Sequence, residues 1–98
     1  MNFQRTPDQI RGEISALVQE YSDLAFEEKE FEAGITAIPP SGKVIDAAEI
    51  KNMVEASLDG WLTTGRFNEM FEQRLGEFLG VKHLITVNSG SSANLIAF

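Results

Sequence analysis

The sequence predicts an α/β fold on the strength of three features. Apolar residues recur at helical spacing in three separate segments. One short β-branched run, residues 84–87, follows the third of them. Directly after that run a turn of small residues opens another helix, the strand–turn–helix order of α/β proteins. The composition is compatible: hydrophobic residues make up 43% and charged residues 23% of the 98, ordinary for a globular chain. A net charge of −7, from 15 acidic against 8 basic residues, argues against a nucleic-acid-binding surface, which needs clustered Lys and Arg. With no cysteine, these residues can build neither a disulfide framework nor a thiolate metal or iron–sulfur site. The start, from Met1 to Asp8, lacks an apolar signal core, and no run approaches the ~18 apolar residues that span a bilayer. A cytoplasmic protein without membrane partners is the expectation.

The first helix is announced by Thr6 as cap, Pro7 in the first helical position and Gln9 as capping-box partner. Ile10, Ile14, Leu17, Val18, Tyr21 and Leu24 then read as one apolar face. The acidic run at residues 27–32 reads as a solvated helix end, since carboxylates without fixed geometry are hydrated; a metal or partner site is the alternative. Residues 1–33 thus form a helical arm, and residues 34–45 a linker in which Pro39 and Pro40 forbid helix. Residues 46–98 begin the main body. A second helix starts at Asp46 with Glu49 as its capping partner, carries Ala47, Ile50, Val54 and Leu58, and stops at Gly60 in a left-handed cap. The third runs from about Phe67 to Leu79, with Phe67, Phe71, Leu75 and Phe78 assigned to core, and ends at Gly80. The last helix has only begun when the sequence stops at Phe98 with no Gly or Asn cap and no basic last turn, so a continuing chain is expected.

Site chemistry concentrates in the segment from Val87 to Leu95. Gly90 permits close approach of a ligand. The first amides of the helix that follows lack intrahelical acceptors and sit at the positive end of the helix dipole. The N–H groups near Gly90, Ser91 and Ser92, with the serine hydroxyls, are therefore candidates to hold a phosphate dianion without a lysine. The plain alternative is a serine-capped helix. Neither a P-loop nor a dinucleotide fingerprint is present. Trp61, in the Gly-bounded loop of residues 61–65, reads either as a packing residue or as a ligand contact. His83 and the lysines Lys43, Lys51 and Lys82 read as surface residues.

The order Gly60-Trp61-Leu62-Thr63-Thr64-Gly65-Arg66-Phe67, Phe71-Glu72, Leu79-Gly80-Val81-Lys82-His83 and Asn88-Ser89-Gly90-Ser91-Ser92-Ala93-Asn94-Leu95 resembles the sugar aminotransferase and dehydrase family of fold-type-I pyridoxal-phosphate enzymes. The similarity runs from about Ile38 onward. The preceding arm and Ile38-Pro39-Pro40-Ser41-Gly42-Lys43-Val44-Ile45 resemble the family's 3-dehydrase branch, which acts on CDP-4-keto-6-deoxy-D-glucose in lipopolysaccharide biosynthesis.

The resemblance implies the first part of a large α/β domain with a mostly parallel sheet, in a homodimer with sites at the subunit interface. It implies that Gly90, Ser91 and Ser92 form the phosphate loop of pyridoxal or pyridoxamine 5′-phosphate. Trp61, Thr63, Thr64 and Gly65 become candidates for facing a nucleotide-sugar substrate. In the dehydrase branch a histidine standing where aminotransferases carry their Schiff-base lysine removes a proton so that the 3-hydroxyl can leave, with electrons arriving from a flavin-containing reductase through a [2Fe–2S] cluster. No catalytic residue of that scheme falls within these 98 residues, so they are expected to be inactive alone. A sugar aminotransferase of the same family and a small non-catalytic helical module are the competing readings.

Overall fold

Among the described residues the first, second and fourth helices each begin at a side-chain cap, whereas the third begins at Gly65 without one. The computed structural model describes residues 4–98; the first three residues of the arm, part of the start read above as lacking a signal core, lie outside the described residues. Helix α1 spans Pro7–Ala25. The Gln9 amide donates to the Thr6 hydroxyl at 3.2 Å, and the Thr6 amide donates to the Gln9 side chain at 2.8 Å. Two orphan amides are thereby satisfied reciprocally. Helix α2 spans Ala47–Leu58 and opens in the same way. Asp46 accepts from the Ala48 amide at 2.8 Å, and Glu49 accepts from the Asp46 amide at 2.8 Å. Gly60, with φ of 65°, takes the left-handed position just past the helix end, as expected for a residue without a Cβ.

α1 and α2 lie in one compact unit that ends at Gly60. The shielded residues of α1 are Arg11, Ile14, Ser15, Val18, Gln19 and Ser22, the spacing of a single seam. Ala47 of α2 is buried, and Ile50, Val54 and Glu55 are half-buried. Polar pairs tie the two helices together. Arg11 donates to Glu55 at 2.6 Å and to Asp59 at 3.2 Å, while Lys51 donates to Gln19 at 2.6 Å. The one broad apolar face read from the sequence divides here. Ile14 and Val18 turn inward, whereas Leu17, Tyr21 and Leu24 stay exposed. The reason is geometric: one neighbouring helix covers a stripe narrower than the apolar sector that α1 presents.

The second unit holds residues 61–98, with α3 at Arg66–Leu79 and α4 at Gly90–Ala97. α3 begins one residue earlier than the apolar spacing suggested and stops at Gly80, whose φ of 68° ends the right-handed spiral. The chain then doubles back, and the Val81 amide donates to the Gly76 carbonyl at 3.0 Å. Gly76 is buried against that return; a Cβ there would stand 3.4 Å from the Val81 carbonyl oxygen.

Two sequence expectations meet a different arrangement. Residues 84–87 pair into no β ladder, and the described residues contain no sheet. A strand needs a second strand to take its main-chain groups; here the Thr86 amide donates instead to the Glu72 carboxylate at 2.9 Å. Phe71 and Phe78, assigned to core, are exposed, Phe78 by 85%, although Phe67 and Leu75 are half-buried. Among the described residues Ala47 is the one buried hydrophobic side chain. No helix of the described residues is long and apolar enough to cross a membrane.

Candidate functional site

The strongest site geometry in the chain lies at the start of α4. Ser89 is the cap: its hydroxyl oxygen accepts from the Ser92 amide at 3.1 Å, and its carbonyl accepts from the Ala93 amide at 3.0 Å. The Ser89 hydroxyl donates to Ser92 Oγ at 3.1 Å, and the Ser92 hydroxyl in turn donates to Asn88 Oδ1 at 2.5 Å. Both donors of Ser92 therefore already have partners. The amides of Gly90 and Ser91, in the first turn, lack intrahelical acceptors, as does every such pair at a helix start. Both residues are exposed, and a Cβ added at Gly90 would meet nothing within 4 Å. The turn thus offers two amides and the Ser91 hydroxyl in open space, at the positive end of an eight-residue helix. That donor set suits a phosphate: acceptor oxygens, negative charge and room for approach. Of the three residues expected to hold phosphate, Gly90 and Ser91 are open, and Ser92 is engaged in the cap.

The loop of residues 61–65 closes on itself. The Trp61 indole N–H donates to the Thr64 carbonyl at 2.8 Å, and the ring lies over Gly65, where a Cβ would come within 3.1 Å of Cδ1. A larger residue there would need the Trp61 ring to give by a few tenths of an ångström. Trp61 nevertheless keeps 67% of its surface exposed, and Thr63 and Thr64 are exposed beside it. Of the two readings of Trp61, packing in a core is not what the described residues provide. A rigid, exposed aromatic is what they provide. Arg66, at the start of α3, stands over the Phe67 ring at 4.2 Å from its centroid.

Sequence reasoning gave no role to Glu72. Its Oε1 accepts from the Thr86 amide at 2.9 Å, from the Thr86 hydroxyl at 3.0 Å and from the Asn68 side-chain amide at 3.1 Å. The same hydroxyl lies 2.7 Å from Asn68 Oδ1, so its one hydrogen is shared between Asn68 and Glu72. The Thr86 amide and then its hydroxyl hold the Glu72 carboxyl below its usual range, against the opposing effect of burial, and Asn68 adds a smaller lowering. The available signal was the polar pair Asn68 and Glu72, four residues apart on the flank of an apolar stripe.

His83, Lys43 and Lys82 are exposed, and Lys51 is engaged with Gln19. Among the described residues no three His, Asp or Glu side chains gather as a metal ion would require.

The sequence also matches known proteins. Residues 43–98 fit the model of the DegT/DnrJ/EryC1/StrS aminotransferase family. Across 94% of its length the chain is 60% identical to the lipopolysaccharide biosynthesis protein RfbH of Salmonella typhimurium. Across 93% it is 40% identical to a dTDP-4-dehydro-2,6-dideoxy-D-glucose 3-dehydratase of Saccharopolyspora spinosa. A UDP-4-amino-4,6-dideoxy-N-acetyl-beta-L-altrosamine transaminase of Campylobacter jejuni is 39% identical across 55% of the chain. The chain spans 21%, 19% and 14% of those relatives. Since the family pattern takes in α2, α3, the 61–65 loop and the serine-capped turn together, this chain belongs to the DegT/DnrJ/EryC1/StrS aminotransferase family.

Proposed function

We propose that this chain is the N-terminal part of a pyridoxal- or pyridoxamine-phosphate-dependent nucleotide-sugar 3-dehydrase. Its reaction would be removal of the 3-hydroxyl of CDP-4-keto-6-deoxy-D-glucose, in deoxysugar and lipopolysaccharide biosynthesis. The observation that carries this reading is the reach of the similarity. Of the relatives named above, the lipopolysaccharide biosynthesis protein and the 3-dehydratase match the arm as well as the body. The transaminase match extends over 54 residues only.

Within these residues the work is binding. The Gly90 and Ser91 amides and the Ser91 hydroxyl hold the cofactor phosphate, and Ser92 joins them on release from Asn88 and Ser89. The bound cofactor supplies an electron sink for proton removal beside a carbonyl-derived carbon. Trp61, Thr63, Thr64 and Gly65 form a preformed loop for the nucleotide sugar, presented across a homodimer interface. Residues 84–87 become the first strand of the large-domain sheet once a neighbouring strand takes up their main-chain groups. The branch's [2Fe–2S] cluster and reductase partner are part of the reading. The 98 residues hold no cysteine to ligate such a cluster, and no step here runs through it.

Sugar aminotransferase activity is the second reading, favoured by the Campylobacter match. The full-length gene product decides between them with a CDP-linked 4-keto-6-deoxy sugar and pyridoxamine phosphate. Loss of the 3-hydroxyl without an amino donor is the expected result. Amine transfer to the sugar with the 3-hydroxyl retained would establish the aminotransferase. Cofactor binding should slow amide exchange at residues 90–93, and unchanged exchange there in the loaded protein would refute the phosphate assignment.

A further inference from the structure

We propose that Glu72, supported by Asn68, is a positioning residue for the cofactor-phosphate turn, holding against α3 the segment that delivers the turn. The inference rests on the phosphate assignment above and adds to it a residue outside the turn.

Three donors converge on a single oxygen of Glu72, and two of them, the amide and the hydroxyl, come from Thr86. The single hydroxyl hydrogen of Thr86 is shared between that oxygen and Asn68 Oδ1, on the same face of α3. Residues 84–87 have no strand partner among the described residues, and this latch ties their main chain to α3. The path from Thr86 to the cap residue Ser89 is short, and it runs without a glycine. A displacement of Thr86 is therefore passed to the Gly90 and Ser91 amides rather than absorbed. Phosphate recognition by main-chain amides tolerates errors of only about 0.5 Å in donor position. A carboxylate suits the role because hydrogen bonds to an ionised acceptor are shorter and stronger than neutral ones.

The measurement is the Kd of pyridoxal 5′-phosphate on the full-length gene product, by equilibrium dialysis, together with amide exchange at residues 86–91. Glu72→Ala should weaken binding about tenfold, as loss of a hydrogen bond to a charged acceptor does. Exchange at residues 86–91 should quicken, while the centre of α3 stays protected. Glu72→Gln keeps an acceptor oxygen and should recover most of the affinity. Thr86→Val, close in volume to the native residue, should fall between them, and it serves if Glu72→Ala does not fold. A purely structural Glu72 would lower the melting temperature of the alanine variant and leave the Kd of the folded fraction unchanged. Affinity within about twofold of wild type for both Glu72→Ala and Thr86→Val, less than the loss of one neutral hydrogen bond, overturns the proposal. Wild-type protein that binds no cofactor would overturn the phosphate assignment as well.

Discussion

Gly65 and Gly90 sit in different steric surroundings. At Gly65 a Cβ would press on the Trp61 ring, 3.1 Å away, and the ring would have to give by a few tenths of an ångström. At Gly90 nothing lies within 4 Å, so no neighbour within the protein demands glycine there. Gly90→Ala should consequently leave the melting temperature nearly unchanged, within about 0.5 kcal/mol as for an uncrowded surface position. It should still weaken pyridoxal 5′-phosphate binding at least about tenfold, because the methyl group occupies the path of approach to the amides. Equal affinities for the two proteins would place the phosphate elsewhere. The candidate residues of this turn were legible in the sequence, since a serine cap beside a glycine at a helix start is local chemistry. The partition among them was not. That Ser92 is occupied by Asn88 and Ser89 follows from side-chain rotamers that spacing does not specify.

Helix boundaries, one scale up, followed from local rules almost everywhere. Thr6 with Gln9, Asp46 with Glu49, and Gly80 each act through atoms within a few residues of themselves. The faces of the helices were less legible, because a face is defined by what covers it. Leu17, Tyr21 and Leu24 satisfy helical spacing as well as Ile14 and Val18 do, yet α2 shields only the latter pair. The tie between α3 and the segment before α4 also belongs to this scale, and it carries a pH dependence. Glu72 is held below its ordinary carboxyl value of 4.5, so the latch contributes fully above that value and is lost as pH falls through the lower folded one. Protection of the Thr86 amide should persist through neutral pH and disappear only in acid, and Glu72→Gln should abolish that pH dependence. Loss of protection between neutral pH and 6, or its persistence into strong acid, would contradict the assignment. The Arg11 guanidinium, by contrast, is held above its usual value chiefly by its hydrogen bond to Glu55, and stays charged throughout the working range.

Viewed whole, the described residues bury very little. Large apolar side chains from Leu17 to Phe98 remain exposed, and Ala47 is the lone buried hydrophobic among the described residues. Residues 1–98 expressed alone should therefore show helical circular dichroism without a sharp cooperative thermal transition, since the apolar surface removed from water cannot offset the entropy of ordering. A steep melt with a calorimetric enthalpy near ~0.7 kcal/mol per residue would show that this expectation is wrong. The sequence by itself determined most of the helix starts and stops, the serine-capped turn that opens α4 and the family, because each depends on atoms close along the chain or on ordered motifs. Tertiary structure alone decided which half of α1's apolar sector is covered, that Glu72 takes the Thr86 amide, and that residues 84–87 pair with no strand. Those outcomes depend on partners distant in sequence, and no local preference can name a distant partner.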